Sequence, residues 1–315
     1  MTTATLIPSR GDLVRVDGFR DLLDGFTAAQ DVGAKTREIY RRSVQRFFRY
    51  IEDSGKTGEQ ATRQTILDYK ADLLDRGFSP YTINLYITAA RRFFEWAEAE
   101  RMAPNVARGV KGITSPRGFR RDVLARDQAR AVLQSVDRST LRGKRDYALV
   151  NMLLRTGRRT VELARANVGD LDPAVGTLRY QGKGRSAKDA TAVLTAATLP
   201  ALLDYLGARG VLGDSTAPLF ASLSDRNAGG RLTTRSISRI VKGYLKAAGI
   251  DSPRWTAHSL RHSAATFALL DGAPLQAVRD MMGHRDINTT LIYAHNVDRI
   301  RNAAEVNIDS YLGDF

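Results

Sequence analysis

The strongest constraint on the fold is a break in the hydrophobic pattern between residues 109 and 121. This stretch, GVKGITSPRGFRR, holds three glycines, one proline and four basic residues. Glycine and proline interrupt regular structure, and apolar residues here follow no helical or strand spacing. The pattern predicts a basic linker between two domains. The length of 315 residues agrees, because a single hydrophobic core rarely grows that large.

Before the linker, the sequence has the spacing of amphipathic helices. Tyr40, Val44 and Phe47 begin one apolar face, since residues four and seven positions apart lie on the same side of a helix. Ser79 and Pro80 mark another helix start, because serine caps a helix and proline is tolerated at its first position. We predict helices at about 19–29, 40–51, 65–76 and from 80 onward.

After the linker, helical patterns surround two short strand patterns at 176–181 and 191–195, joined by a glycine-bearing hairpin turn at 182–188. The predicted fold class is mainly α, with a small antiparallel sheet. The predicted domains are a lead-in (1–18), a helical domain (19–108), the linker (109–121) and a second domain (122–315). Helices are expected at about 124–136, 145–154, from 158, 197–209, 233–248, 256–270, 274–282, 286–293 and 297–312.

The charge balance indicates the class of partner. A net charge of +14 and an isoelectric point near 10.2 favour a polyanion, with nucleic acid first and an anionic membrane surface second. No run approaches the roughly 18 apolar residues that span a bilayer, and the N-terminus lacks a signal-peptide core. We therefore expect a cytoplasmic protein. The absence of cysteine excludes disulfides, thiolate nucleophiles and cysteine-ligated zinc.

Basic residues are spread over several helices of the first domain and along the linker. Guanidinium groups bind phosphate oxygens through paired hydrogen bonds, and neutralised phosphates supply affinity that is independent of sequence. Two basic domains joined by a basic linker are expected to close around a duplex as a C-shaped clamp. The predicted DNA-binding residues are Arg41, Arg42, Arg91, Arg92, Lys111, Arg120 and Arg121.

All four histidines lie between His258 and His295, beside Arg261, Arg285 and Tyr293. Two kinds of site can be excluded from the spacing. A helical zinc motif requires Glu directly after the first His, and Ser259 occupies that position. A kinase catalytic loop requires Asn five residues after the Asp of HRD, and Leu291 stands there. We therefore expect no bound metal.

A tyrosine among cations indicates phosphate chemistry. A phenol with a pKa of about 10 is a weak nucleophile at neutral pH. Guanidinium groups favour its anion, and an imidazole can accept the proton. The same cations would stabilise charge that builds on a phosphodiester under attack. The residues predict a tyrosine that attacks DNA or RNA.

These motifs resemble those of the tyrosine recombinases, the family of phage integrases and Xer-type recombinases. HSLRH at 258–262, GH at 283–284 and Tyr293 are similar to the family's second conserved box, and TGRRTVEL at 156–163 to its first. The first box is usually TGLR with Glu three residues later. The helical domain is similar to the family's SAM-like core-binding domain, so the resemblance covers roughly 20–312.

The resemblance implies a role for each matching residue. Tyr293 would form a 3′-phosphotyrosine, Arg159 and Arg261 would clamp the scissile phosphate, and His284 would assist them. The other implied roles are proton handling by His258, protonation of the departing 5′-oxygen by Lys183, and orientation of neighbouring groups by Glu162. Exchange of one phosphate ester for another conserves bond energy, so no cofactor, ATP or divalent ion is expected.

Two departures from the family pattern leave alternatives open. Arg158 replaces the usual leucine, so the choice of Arg159 depends on its spacing to Glu162, and Arg158 is expected to face solvent or DNA. The hairpin also contains Lys188, which is an alternative to Lys183 as the catalytic lysine, although Lys183 is favoured.

The predicted function is site-specific DNA recombination, as in integration or resolution, on double-stranded DNA with inverted-repeat half-sites. Four protomers would hold two sites, whereas the free protein is expected to be a monomer or dimer. The C-terminal helix at 297–312 would either pack on its own domain or, as the resemblance implies, dock on a neighbouring subunit. A type IB topoisomerase is the nearest alternative, but lysine usually stands there in place of His258. A catalytically silent DNA-binding protein is disfavoured, because every catalytic position is filled.

Overall fold

A computed structural model describes residues 16–114, 123–182, 185–301 and 308 of the chain. The chain divides into two compact units, Met1–Arg117 and Gly118–Phe315. Arg120, Arg121, Lys183 and most of the predicted C-terminal helix lie outside the described residues. None of the described helices is long and apolar enough to cross a membrane.

The described residues of the first unit form a bundle of four helices, as predicted. The helices are α1 (Val16–Ala28), α2 (Ala34–Asp53), α3 (Arg63–Asp75) and α4 (Pro80–Ala99). Ser79 caps α4 by accepting a hydrogen bond from the backbone N–H of Thr82 at 3.2 Å. A short 3-10 turn at Gly58–Gln60 separates α2 from α3.

Aromatic rings form the centre of the first unit. Phe47 and Phe48 from α2 meet Phe93 and Phe94 from α4, and all four rings are buried. The Phe48 and Phe93 rings pack edge to face with centroids 5.1 Å apart. Edge-to-face contacts favour one ring orientation over others, so this core fixes the two longest helices of the unit against each other.

The first residues of the predicted linker pack on the helical unit. Val110 is buried. The Asn84 side chain on α4 accepts a hydrogen bond from the N–H of Ile113 at 2.6 Å and donates one to its carbonyl at 2.9 Å. The prediction of a linker from residue 109 onward therefore began too early, because the glycines and basic residues around Val110 and Ile113 obscured two apolar anchors.

The second unit is mainly α with a small sheet, which confirms the predicted class. The helices are α5 (Arg126–Gln134), α6 (Leu141–Thr156), α7 (Thr160–Arg165), α8 (Leu199–Arg209), α9 (Thr234–Ala247), α10 (Ala257–Leu270), α11 (Leu275–Met282) and α12 (Asn288–Arg301). The strands are β1 (Leu171–Asp172), β2 (Thr177–Tyr180) and β3 (Ala190–Val193), in the antiparallel order β1-β2-β3.

Helix α6 is the centre of the second unit. Leu149 and Leu153 on this helix are fully buried, together with Leu202 of α8 and Leu260 of α10. Because α6 is covered on nearly every side, its C-terminal end is held firmly within the unit. That end leads directly into the turn that carries Arg158 and Arg159.

The C-terminal helix differs from the prediction. The sequence suggested one helix that ends at Tyr293 and another that begins at Val297, but α12 is continuous from Asn288 to Arg301. The intervening residues, Ala-His-Asn, include no glycine or proline that would end a helix. Tyr293 therefore lies within a helix and not at its end.

Candidate active site

A tight turn at residues 157–159, here called the arginine turn, carries the two arginines of the first box. Helix α6 ends at Thr156, and Gly157 adopts the left-handed conformation with φ of +62°. Glycine takes this conformation without the steric cost that a Cβ adds. The turn leads into α7, where Arg159 occupies the position before the first helical residue.

Glu162 organises this turn from within the protein. Its carboxylate is fully buried and accepts hydrogen bonds from the backbone N–H of Arg159 at 2.9 Å and from its Nη1 at 2.8 Å. The carboxylate oxygen that accepts from the backbone N–H, Oε2, also lies 3.8 Å from Nη1 of Arg158. One buried carboxylate thus contacts two guanidinium groups.

The two neighbouring arginines differ sharply in exposure. The side chain of Arg159 is 21% exposed, whereas that of Arg158 is 1% exposed. The expectation that Arg158 faces solvent or DNA was therefore wrong. Its guanidinium lies over the Tyr180 ring, 4.1 Å from the centroid, and this aromatic cover could not be read from the local spacing.

Arg261 connects the two boxes. It lies on α10, is almost fully buried, and donates hydrogen bonds to the carbonyl of Gly157 and, at 2.6 Å, to that of Met282. Its Nη2 also lies 3.2 Å from Nε2 of His284. The planar fork of arginine can satisfy several acceptors at fixed angles, so this one side chain holds three separate segments together.

The surroundings of Arg261 disfavour its positive charge. Burial and, to a smaller extent, the charge of Arg159 lower the pKa of the Arg261 guanidinium to about 9. Glu162 opposes this shift. An anion placed beside the guanidinium would compensate for the lost water, so the site favours an anionic ligand.

His284 is held between Arg261 and α12. Because a guanidinium N–H can only donate, Nε2 of His284 must accept that contact in the neutral ring. The proton then lies on Nδ1, which is 2.9 Å from the hydroxyl oxygen of Thr290. We assign this tautomer from the contacts. It fixes the orientation of the imidazole.

Tyr293 lies inside the unit. Its side chain is 1% exposed and packs with Ala265, Val278 and Met282. The hydroxyl is in hydrogen-bond contact with Nδ1 of His262. The ring also lies parallel to that of His284, with centroids 6.4 Å apart.

The structure therefore brings together five of the predicted catalytic or supporting residues and places a sixth nearby. Arg159, Glu162, Arg261, His284 and Tyr293 are linked as described above. His258 is exposed on the first turn of α10, and its ring meets that of His262 at 4.6 Å between centroids. Within the described residues, no cluster of three or more His, Cys, Asp or Glu side chains could hold a metal ion.

The structure describes one of the two hairpin lysines, Lys188. Lys183 lies outside the described residues. Lys188 forms an ion pair with Asp170, whose side chain is 10% exposed. Asp170 therefore offsets the positive charge of Lys188 in this structure.

The predicted DNA-binding residues of the first unit have neighbours on its surface. Arg41 pairs with Asp24, whereas Arg91 donates a hydrogen bond to the hydroxyl of Thr88 at 3.2 Å. Lys111 is exposed. Ion pairs also connect Arg42 with Glu38 at 2.6 Å and Arg92 with Glu95 at 3.1 Å.

Three residues of the site were not identified from the sequence. His262 contacts the candidate nucleophile, Thr290 orients His284, and Tyr180 covers Arg158. The sequence contained a signal for His262, because it lies one helical turn after His258. Thr290 and Tyr180 could not be found in this way, since their contacts depend on how separate elements pack.

Substitution of Gly157 by alanine tests how tightly the arginine turn packs. An added Cβ would lie 2.8 Å from Sδ of the buried Met282, in a left-handed conformation. The conformation alone costs about 1–2 kcal/mol, so Gly157→Ala should lower the free energy of urea unfolding by more than this.

Gly210 provides the matched control. It caps α8 with a φ of +73°, and an added Cβ would meet nothing within 4 Å. We expect Gly210→Ala to lose only the conformational contribution. Equal losses for the two variants would contradict the close packing of Gly157 against Met282.

Comparison with known proteins identifies the family. The phage integrase family model matches residues 122–299, and its N-terminal SAM-like domain matches 22–101. Tyrosine recombinase XerD of Listeria innocua is 31% identical over 289 residues, which is 87% of this chain and 94% of that protein.

Two solved structures have a similar fold. The XerH site-specific recombinase bound to palindromic difH substrate aligns with a TM-score of 0.74 at 18% identity, covering 97% of this chain and 91% of that one. A lambda integrase tetramer bound to a Holliday junction aligns with a TM-score of 0.68 at 20% identity, covering 87% and 76% of the two chains. The matched family models and the similarity to XerD establish that the chain belongs to the phage integrase family of tyrosine recombinases.

Proposed function

We propose that this recombinase cuts and rejoins double-stranded DNA through a covalent bond between Tyr293 and the 3′-phosphate of the cut strand. One observation carries the proposal. Arg261 joins the arginine turn to the segment of His284, and the ring of Tyr293 lies parallel to that of His284 with centroids 6.4 Å apart. A phosphate bound at Arg261 would thus lie near a candidate nucleophile.

The charge of the site fits this reaction. Arg158, Arg159 and Arg261 contribute three positive charges, and Glu162 contributes one negative charge, which leaves a formal charge of +2. A phosphodiester carries one negative charge, and the pentacoordinate transition state carries two. Fixed cations that match the charge of the transition state stabilise it more than the ground state.

Each candidate residue has a place in the reaction. Arg159 and Arg261 bind the nonbridging oxygens of the scissile phosphate. When Arg261 turns from His284 to the phosphate, Nε2 of His284 is released and, once it carries a proton, donates a further hydrogen bond. Glu162 holds Arg159 in position. Tyr293 Oη attacks phosphorus as the bond to the 5′-oxygen breaks, and Lys183 donates a proton to that oxygen.

The proton of Tyr293 requires an acceptor. Nδ1 of His262 contacts the hydroxyl. We propose that this nitrogen, which carries no proton in the neutral ring, accepts the proton of Tyr293. His258, whose ring contacts that of His262 at the protein surface, takes part in moving the proton. Because Tyr293 is 1% exposed, attack also requires its hydroxyl to move away from the buried position beside His262 and toward the bound phosphate. Rejoining reverses these steps, with a 5′-hydroxyl as the nucleophile.

The proposed substrate is a pair of DNA sites, each with inverted half-sites, held by four protomers in the cytoplasm. The similarity to the lambda integrase tetramer on a Holliday junction supports this stoichiometry. The phosphotyrosyl ester retains the energy of the broken bond, so strand exchange requires no ATP.

Covalent trapping tests the proposed function. Candidate sites would be taken from inverted repeats beside the gene or selected from a random duplex pool by binding. A duplex with a nick beside the cleavage point loses a short fragment after attack, which prevents rejoining. We expect a protein–DNA adduct that survives denaturant, formed in EDTA. The absence of any adduct on bound, nicked DNA would contradict the proposal.

DNA binding should weaken steeply with salt. Each neutralised phosphate contributes about −0.9 to the slope of log affinity against log salt concentration, and a chain with a net charge of +14 should contact several phosphates. We expect a slope of about −4 or steeper in fluorescence anisotropy titrations over a range of KCl concentrations. A slope shallower than about −1 would be inconsistent with DNA held by several phosphate contacts.

A further inference from the structure

Arg158 departs from the family pattern and is buried where leucine usually stands. Its side chain is 1% exposed, and Nη1 has no hydrogen-bond partner among the residues that the structure describes. Leucine would fill the same space without a buried charge. Burial of a charged guanidinium costs free energy unless nearby groups compensate for the lost water.

Three groups contact the Arg158 guanidinium, and its Nε donates a hydrogen bond to the first of them, the carbonyl of Thr156, at 3.3 Å. Glu162 approaches Nη1 at 3.8 Å, and the Tyr180 ring lies 4.1 Å from the guanidinium carbon. Tyr180 is the last residue of β2 and is itself buried. Its hydroxyl also lies near Gly283, where a Cβ would be 3.1 Å from it.

These contacts place Arg158 behind the phosphate site. Glu162 binds Arg159 on its other side, and Gly283 directly precedes His284. Arg158 therefore contacts Glu162 directly and reaches the His284 segment through Tyr180. Burial and, to a smaller extent, the positive charge of Arg158 lower the pKa of Arg261.

We propose that Arg158 is a positioning residue for DNA cleavage, which acts through Glu162 and Tyr180 to keep positive charge available at the scissile phosphate. The inference rests on the proposed function. When Arg158 shares the negative charge of Glu162, the carboxylate neutralises less of the charge on Arg159. Without Arg158, the formal charge of the site falls from +2 to +1, and Glu162 draws Arg159 away from the phosphate.

The test compares Arg158→Met with the wild type in single-turnover cleavage of nicked DNA at saturating protein. Arg158 is buried, so DNA affinity should change less than twofold. The cleavage rate should fall by about 10- to 100-fold, as is found when a group that orients a metal-binding side chain is removed. Arg158→Lys restores the charge and should recover most of the rate.

A second substrate separates positioning from a merely structural role. A methylphosphonate at the scissile position replaces one charged oxygen by a methyl group, so its cleavage depends less on positive charge. We expect the ratio of wild-type to Arg158→Met rates to shrink toward one on this substrate. A general loss of structure would reduce both rates equally.

Arg145 supplies the matched control. It is a buried arginine of the same unit that pairs with Asp146 at 2.7 Å and donates to the carbonyl of Ala221. Arg145→Met should lower the thermal midpoint, but it should not change the ratio of rates between the two substrates from that of the wild type.

If Arg158→Met does not fold, Tyr180→Leu takes its place, because it removes the ring beneath Arg158. Tyr147→Leu is its control, since Arg138 covers that ring at 4.3 Å. The same loss of rate and the same shrinking ratio are expected for Tyr180→Leu only.

The outcomes distinguish the two proposals. Two results would show that the role of Arg158 is wrong while the proposed function stands, provided that wild-type protein forms an adduct. In one, Arg158→Met cleaves at the wild-type rate. In the other, its cleavage rate is reduced by the same factor on both substrates. If wild-type protein forms no adduct on bound DNA, the proposed function is wrong and the role of Arg158 falls with it.

Discussion

Replacement of Tyr293 by phenylalanine is expected to abolish the covalent adduct with DNA. The phenol oxygen is the proposed nucleophile, and loss of a nucleophile typically lowers the rate by at least about 10⁴-fold. Burial of the ring among Ala265, Val278 and Met282 should preserve the fold. The loss of the contact with His262 should cost about 1 kcal/mol. Denaturing gel electrophoresis of labelled, nicked DNA measures the adduct.

The control for this variant is DNA binding. Tyr293→Phe should retain the wild-type affinity and salt slope, because the hydroxyl faces His262 inside the unit. An adduct that persists in the phenylalanine variant would show that another residue attacks the phosphate. Loss of both binding and adduct would point to a folding defect, which the thermal midpoint detects.

Arg261→Lys should produce the second largest effect. Lysine keeps a positive charge but cannot donate at once to the carbonyls of Gly157 and Met282 and to His284. Loss of a donor that stabilises charge in a transition state costs about 10²- to 10³-fold in rate. We expect the single-turnover cleavage rate to fall by about this factor, although the variant should still saturate the DNA with bound protein.

The same substitution should also affect stability. Buried carbonyls left without donors cost about 1–3 kcal/mol, so the free energy of urea unfolding should fall within this range. Arg145→Lys provides the matched comparison, because Arg145 is equally buried but lies outside the candidate site. Equal losses of cleavage rate in the two lysine variants would mean that Arg261 acts only as a structural residue.

Much of the fold followed from local sequence patterns. The periodicity of apolar residues located the helices of both units, and the glycine-bearing turn between two alternating segments located β2 and β3. Strand β1 was missed because two residues, Leu171 and Asp172, carry no recognisable period. The unbroken α12 was missed because a polar stretch resembled a loop although it contains no helix-breaking residue.

The site was only partly accessible from the sequence. The resemblance of the two boxes to the family's motifs predicted Arg159, Glu162, Arg261, His284 and Tyr293 as candidate residues, because these residues belong to short motifs. The burial of Arg158 depends on the left-handed turn at Gly157 and on Tyr180 from β2. The contact between His262 and Tyr293 joins α10 to α12. Contacts between distant segments arise from packing, which local spacing does not encode.

The covalent bond itself is the most direct test of the account. The trapped adduct would be digested with trypsin and nuclease and analysed by mass spectrometry, with the DNA labelled on either side of the cut. We predict a nucleotide bound through its 3′-phosphate to the tryptic peptide 286–299, whose single tyrosine is Tyr293. A nucleotide on any other peptide, or one bound through a 5′-phosphate, would contradict the proposed mechanism.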